Sequence, residues 1–97
     1  MKMYLTRSLG STAIEVVECE RVNDKSVWVV FQWAGRRAVQ RRSRAATYEE
    51  YHDSWKAAHA FLLDRARREH ETALVRARTA LRQFEEVEAM KPPEEEA

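Results

Sequence analysis

The chain has 97 residues, 44% hydrophobic and 34% charged, with only two glycines and two prolines, a composition that fits one small helix-rich globular domain and excludes a disordered or low-complexity segment. Its 17 lysines and arginines nearly cancel its 16 aspartates and glutamates, so no global field draws it to nucleic acid or an anionic membrane. The single cysteine, Cys19, cannot close an internal disulfide, no Cys/His spacing matches a zinc site, and neither a signal-peptide core nor a membrane span is present; a cytoplasmic protein without structural metal or cofactor is expected.

Residues 3 to 8 read as a short strand that ends at Leu9-Gly10-Ser11, where Gly10 can adopt the positive φ of a tight turn. A second strand is expected from Ala13 to Val22. Its apolar positions shift phase, from Ile14 and Val16 to Val17 and Cys19, as one extra residue in the strand would cause. Asn23-Asp24 then signals a hairpin into Ser26 to Ala34. Val27-Trp28-Val29-Val30-Phe31 is apolar on both faces, which predicts a central strand with one side against a helix and the other covered by something else.

Residues 36 to 44 pair back across Ala34-Gly35 as an arginine-rich edge strand. Two helix starts compete. Thr47-Tyr48-Glu49-Glu50 has the pattern of a capping box, while Asp53-Ser54 offers a second cap before Trp55. No glycine or proline follows until Pro92-Pro93, so the helix should run to about Lys91 and extend about 55 Å, beyond a nine-residue strand of about 30 Å. The expectation is one α+β domain over residues 1 to 91. It comprises a three- to four-stranded antiparallel sheet in 1 to 45 and a long amphipathic helix in 47 to 91, followed by a flexible acidic tail at 92 to 97.

At 100° per residue the helix gathers Trp55, His59, Leu62, Leu63, Ala66 and His70 on one stripe, continued distally by Ala73, Leu74, Ala77, Ala80, Leu81, Phe84 and Val87. The opposite face carries Asp64, Arg68, Glu71, Arg78, Arg82 and Glu86. Because exposed apolar surface costs about 25 cal/mol per Å², the distal stripe calls for a cover: a second copy first, otherwise a foreign partner or a bend that folds the helix back. The small residues at heptad-like spacing favour close helix pairing over a leucine-zipper seam.

Other constellations are better read as structure. His52, His59 and His70 share an angle on a helix but lie about 10 and 16 Å apart along its axis, too far for common ligation. Cys19 has no nucleophile partner and reads as core. Glu49, Glu50 and Asp53 beside Tyr48, Tyr51 and His52 suit a helix start better than acid-base catalysis, so no catalytic residue is assigned. Trp28, Trp33 and Trp55 are expected as core and interface anchors. The basic run Arg36, Arg37, Arg41, Arg42 and Arg44, with Trp33 nearby, is the nucleic-acid candidate, against the reading of an edge strand that pairs with the acidic helix.

Tyr51-His52-Asp53-Ser54-Trp55-Lys56-Ala57-Ala58-His59-Ala60-Phe61-Leu62-Leu63, together with residues 11 to 18 and Met90-Lys91-Pro92-Pro93, resembles a group of small proteins encoded by bacteriophages and prophages, over most of the chain. The shared pattern is Y-[FH]-D-[ST]-W-x-x-A-x-x-x-L-L. Its structural reading makes Asp53 the helix cap and Trp55 an anchor against the sheet, with Lys56 a departure where an acid would suit the first turn. The resemblance carries no activity of its own and implies a setting, the bacterial host cytoplasm, where small accessory proteins bind host factors. With no active-site pattern among the residues, a non-enzymatic accessory protein that binds a host protein is expected, with inhibition as one outcome. A nucleic-acid-binding accessory protein using residues 36 to 44 is the alternative.

Overall fold

Five strands and one helix make up the fold in a computed structural model that describes residues 1 to 8 and 10 to 94. Strand β1 (Lys2–Arg7) runs antiparallel to β2 (Ile14–Val22), β2 to β3 (Ser26–Trp33), and β3 to β4 (Arg36–Ser43). A fifth strand, β5 (Glu49–His52), adds to the free side of β1, giving the order β4-β3-β2-β1-β5. Helix α1 spans Trp55–Glu88. The chain divides into two compact units, residues 1–64 and 65–97, with the boundary inside the helix.

The turns follow from local chemistry. Gly10 has φ +84° between β1 and β2, the freedom the sequence predicts there; Leu9 lies outside the described residues. Asn23 Oδ1 accepts hydrogen bonds from the N–H groups of Lys25 (2.9 Å) and Ser26 (2.8 Å), an Asx turn that closes the β2–β3 hairpin. At the β3–β4 hairpin both Ala34 (φ 51°) and Gly35 (φ 76°) are in the left-handed region, as a two-residue type I′ loop requires, although Ala34 has a Cβ that disfavours it.

One face of the sheet holds the core: Met3, Leu5, Cys19, Val27 and Tyr51, all under 5% exposed, with Val17, Val22 and Val29 against them. Residues of β1, β2, β3 and β5 meet in this cluster because the sheet curls until its edges touch. The Tyr51 N–H donates to the Arg44 carbonyl (2.9 Å), the Arg44 N–H to the Lys25 carbonyl (2.9 Å), and Ala45 bridges Glu50. The result is a small, partly closed barrel. The inner side of β3 thus faces other strands rather than a helix, and its outer side at Trp28 is covered by guanidinium groups, with Arg21 Cζ 3.8 Å and Arg41 Cζ 5.6 Å from the ring centroid.

Two expectations change here. The irregular register of β2 falls between Cys19 and Arg21, against β3, while Val16 and Val17 pair without interruption with Tyr4 and Met3. The apparent shift in phase arises because Val16 is left 60% exposed while Val17 and Cys19 turn inward. The expected helix over 47 to 91 also gives way: the residues after Thr47 form β5, because Tyr51 (4% exposed) enters the core opposite Leu5 and the sheet supplies hydrogen bonds that a capping box cannot outweigh. There are therefore five strands instead of three or four.

The helix begins at the second of the two predicted places. Ser54 Oγ accepts from the Ala57 N–H (3.0 Å), and the Ser54 carbonyl accepts from the Ala58 N–H (3.1 Å), so Ser54 is the cap. Asp53, the residue expected to cap, instead pairs with Arg44 (2.6 Å). Trp55 does not anchor the first turn to the sheet. It is 53% exposed and stacks on His59 with 4.9 Å between ring centroids, while the fully buried Ala58 and a contact between Phe61 and His52 (5.0 Å) fill that role. The helix ends at Glu88, before Pro92, and the acidic tail expected at 92 to 97 falls partly on residues 95 to 97, outside the described residues.

Candidate interaction surface

Residues 65–97 form a unit in which nearly every described side chain is open to solvent. Uninterrupted alanine, leucine, arginine and glutamate keep the backbone helical as far as Glu88. Its apolar stripe stays exposed: Leu74 is 42%, Leu81 57%, Phe84 63% and Val87 65% accessible. Ala73, Ala77 and Ala80 are exposed between them. All seven residues predicted as a partner interface therefore lie on one face, uncovered by this chain.

The arginine run is divided by the strand it occupies. Cross-strand neighbours share a face, so Arg37 and Arg41, opposite Gln32 and Trp28, project from one side of the sheet, and Arg36 and Arg42, opposite Trp33 and Val27, from the other. Most of these charges are already engaged. Arg37 lies 3.8 Å from Glu20, Arg42 3.5 Å from Glu49, and Arg44 2.6 Å from Asp53. Arg41 Nε donates to Ser26 Oγ (3.1 Å). The acids that pair with the run belong to β2, β5 and the residue before the helix, not to the helix itself. Trp33, 72% exposed and cross-strand to Arg36, stands at the hairpin end as a surface side chain, not a core anchor.

Other titratable groups serve the barrel. Glu49 receives Arg7 from β1 (3.1 Å) and Arg42 from β4 (3.5 Å), and Arg7 also reaches Glu15 of β2 (3.2 Å), so one carboxylate links three strands. Burial, with Glu49 adding to it, raises the Tyr51 phenol above its usual range. Burial raises the Cys19 thiol, which keeps it protonated and unreactive as a core residue. His52 Nε2 lies 2.9 Å from Thr6 Oγ1, and burial lowers its basicity. His52 is on a strand, so it shares no helical face with His59 and His70. Among the described residues no group of three His, Cys, Asp or Glu side chains could hold a metal ion.

An open hollow of about 510 Å³ lies where the barrel edges meet, lined by Asp24, Lys25, Ser43, Arg44, Ala45, Glu50 and Tyr51. Its best-placed cation, Arg44, is held by Asp53, and the lining contains no nucleophile with an adjacent base. No helix among the described residues is long and apolar enough to cross a membrane. The chain matches no protein family, no curated protein and no solved structure. The residues themselves therefore carry any functional reading.

Proposed function

We propose that this chain is a non-enzymatic accessory protein that acts by protein-protein contact and self-associates through the distal half of α1. The supporting observation is the exposed stripe of Leu74, Leu81, Phe84 and Val87. Single exposed apolar residues are ordinary on a protein surface, but four aligned along one helix face make a contiguous patch of the kind found at interaction sites. Ala73, Ala77 and Ala80 within the stripe allow two helix backbones to approach closely.

The phage-type resemblance gives this reading its setting, a bacterial cytoplasm in which a small protein works by binding a host factor, inhibition being one consequence. The test is the mass of the intact protein at micromolar concentration. The wild type should be a dimer, and Ala77→Glu, which puts a charge in the middle of the stripe, should be a folded monomer. A wild-type monomer, or a dimer indifferent to Ala77→Glu, removes the stripe as the interface.

A further inference from the structure

The flanks of the distal stripe carry charge in a definite order, and that order is informative about what covers it. Beside the stripe on one side, in sequence, stand Arg67, Glu71, Arg78 and Glu85, all exposed. None of the four takes part in an ion pair within the chain among the described residues. On the other side stand Arg65, Glu69 and Arg76. Two parallel copies in register would set these flanks together with like charges at nearly equal heights, Arg65 by Arg67, Glu69 by Glu71 and Arg76 by Arg78. Such contacts are repulsive.

Reversing one copy about a point near residue 75 brings each flank against its own counterpart. Arg67 then meets Glu85 and Glu71 meets Arg78, each pair occurring twice by symmetry, against one like-charge contact on the other flank, where Arg76 faces its own copy near the axis. The same reversal packs large Phe84 over small Ala66, and Ala73 over Ala77 lets the two backbones approach closely at the centre. It also relieves a local cost. The last turns of α1 contain Glu85, Glu86 and Glu88 and no base in the final turn, so acids stand at the negative end of the helix dipole, where cations are favoured. An arginine from the partner supplies that cation.

We infer that the stripe is covered by a second copy of this chain running antiparallel, centred near residue 75 and set in register by the pairs Arg67–Glu85 and Glu71–Arg78. This rests on the self-association proposed above and adds the partner's direction and register. Two separately tagged full-length chains, one carrying Ala66→Cys and the other Phe84→Cys, are mixed and oxidised; Cys19 is 2% exposed and does not compete. The mixed disulfide is the expected product, because the two copies of residue 66 are about 27 Å apart along the axis of this arrangement. Like-with-like disulfides at 66 and 84 overturn the antiparallel arrangement and leave self-association standing. A monomeric mass for the wild type overturns both and leaves the stripe to a different protein. A charge exchange tests the register without cysteine: Arg67→Glu and Glu85→Arg should each weaken dimerisation roughly five- to tenfold, with most of the loss recovered in the double variant. No recovery overturns the register.

Discussion

Arg44 Nη2 lies 2.6 Å from Asp53 Oδ1, joining the residue just after β4 to the residue that precedes the helix cap. The pair divides two tasks that the sequence places side by side, since Asp53 holds the barrel edge and Ser54 starts the helix. Ser54→Ala should destabilise the fold by about 1 kcal/mol, because it leaves the Ala57 N–H without its acceptor. Asp53→Asn should cost about 0.5 kcal/mol, since Asp53 is 74% exposed and such pairs are weak. Urea unfolding of both variants checks the order; a larger loss from Asp53→Asn, which preserves any capping ability at 53, would mean that the Arg44–Asp53 pair outweighs the Ser54 cap.

The β3–β4 loop contains a residue poorly suited to its conformation. Ala34 sits at φ 51° beside Gly35 at φ 76°. Ala34→Asn and Ala34→Gly should both raise stability, by roughly 0.5 to 1 kcal/mol, because those residues enter the left-handed region more easily. A thermal melt that shows no gain with either would mean the hairpin turns differently.

His52 gives the fold a pH dependence of known sign. Burial of the ring is the largest influence and lowers its pKa below 6.5; Arg44 adds to the lowering, while Glu50 and Asp53 oppose it. The unfolded chain therefore binds the proton at higher pH than the folded one. The contribution of neutral His52, hydrogen bonded to Thr6 and against Phe61, is fully present above about pH 6.5 and is lost as pH falls through the folded value. Denaturant midpoints from pH 8 to 5 should fall on the acid side, less steeply in His52→Gln. Equal slopes in the two proteins would contradict the assignment.

Core and stripe should respond oppositely to truncation. Leu5→Ala, at a site 3% exposed, should cost about 3 kcal/mol of folding stability. Phe84→Ser, at a site 63% exposed, should leave the isolated fold within about 0.5 kcal/mol and weaken self-association instead. Unfolding measured over a range of protein concentrations separates the two effects.

The arginines of β4 bear on the alternative function. With Arg41 and Arg42 on opposite faces, and Arg37, Arg42 and Arg44 beside acids, random DNA or RNA should not be retained even at low salt. Binding with a steep salt slope that Arg41→Glu plus Arg42→Glu abolishes would establish the nucleic-acid reading in its place.

Much of this architecture could be read from the residues. Asn23-Asp24 marked the central hairpin, Ala34-Gly35 the next one, and Pro92-Pro93 bounded a helix with one apolar stripe. The fifth strand was hidden because Thr47 to Glu50 satisfies a local helix-start pattern, while what makes Glu49–His52 a strand is Tyr51 packing beside Leu5, dozens of residues away in sequence. The exposure of Trp33 and Trp55 was hidden for the related reason that large aromatic residues are usually sheltered by contacts that composition does not reveal. The distal stripe was legible in full, since helical periodicity alone determines which of its side chains share a face. The arginine run looked like one patch in sequence, and only the pleat of β4 separates it into two.

The central claim is that the stripe containing Leu74, Ala77, Leu81 and Phe84 is covered by a second copy of this chain. Sedimentation or light scattering of the full chain at tens of micromolar tests it most directly. The mass should be twice the 11.4 kDa of one chain, falling to a single chain in Ala77→Glu with the fold retained. A wild-type mass of 11.4 kDa at that concentration would contradict it.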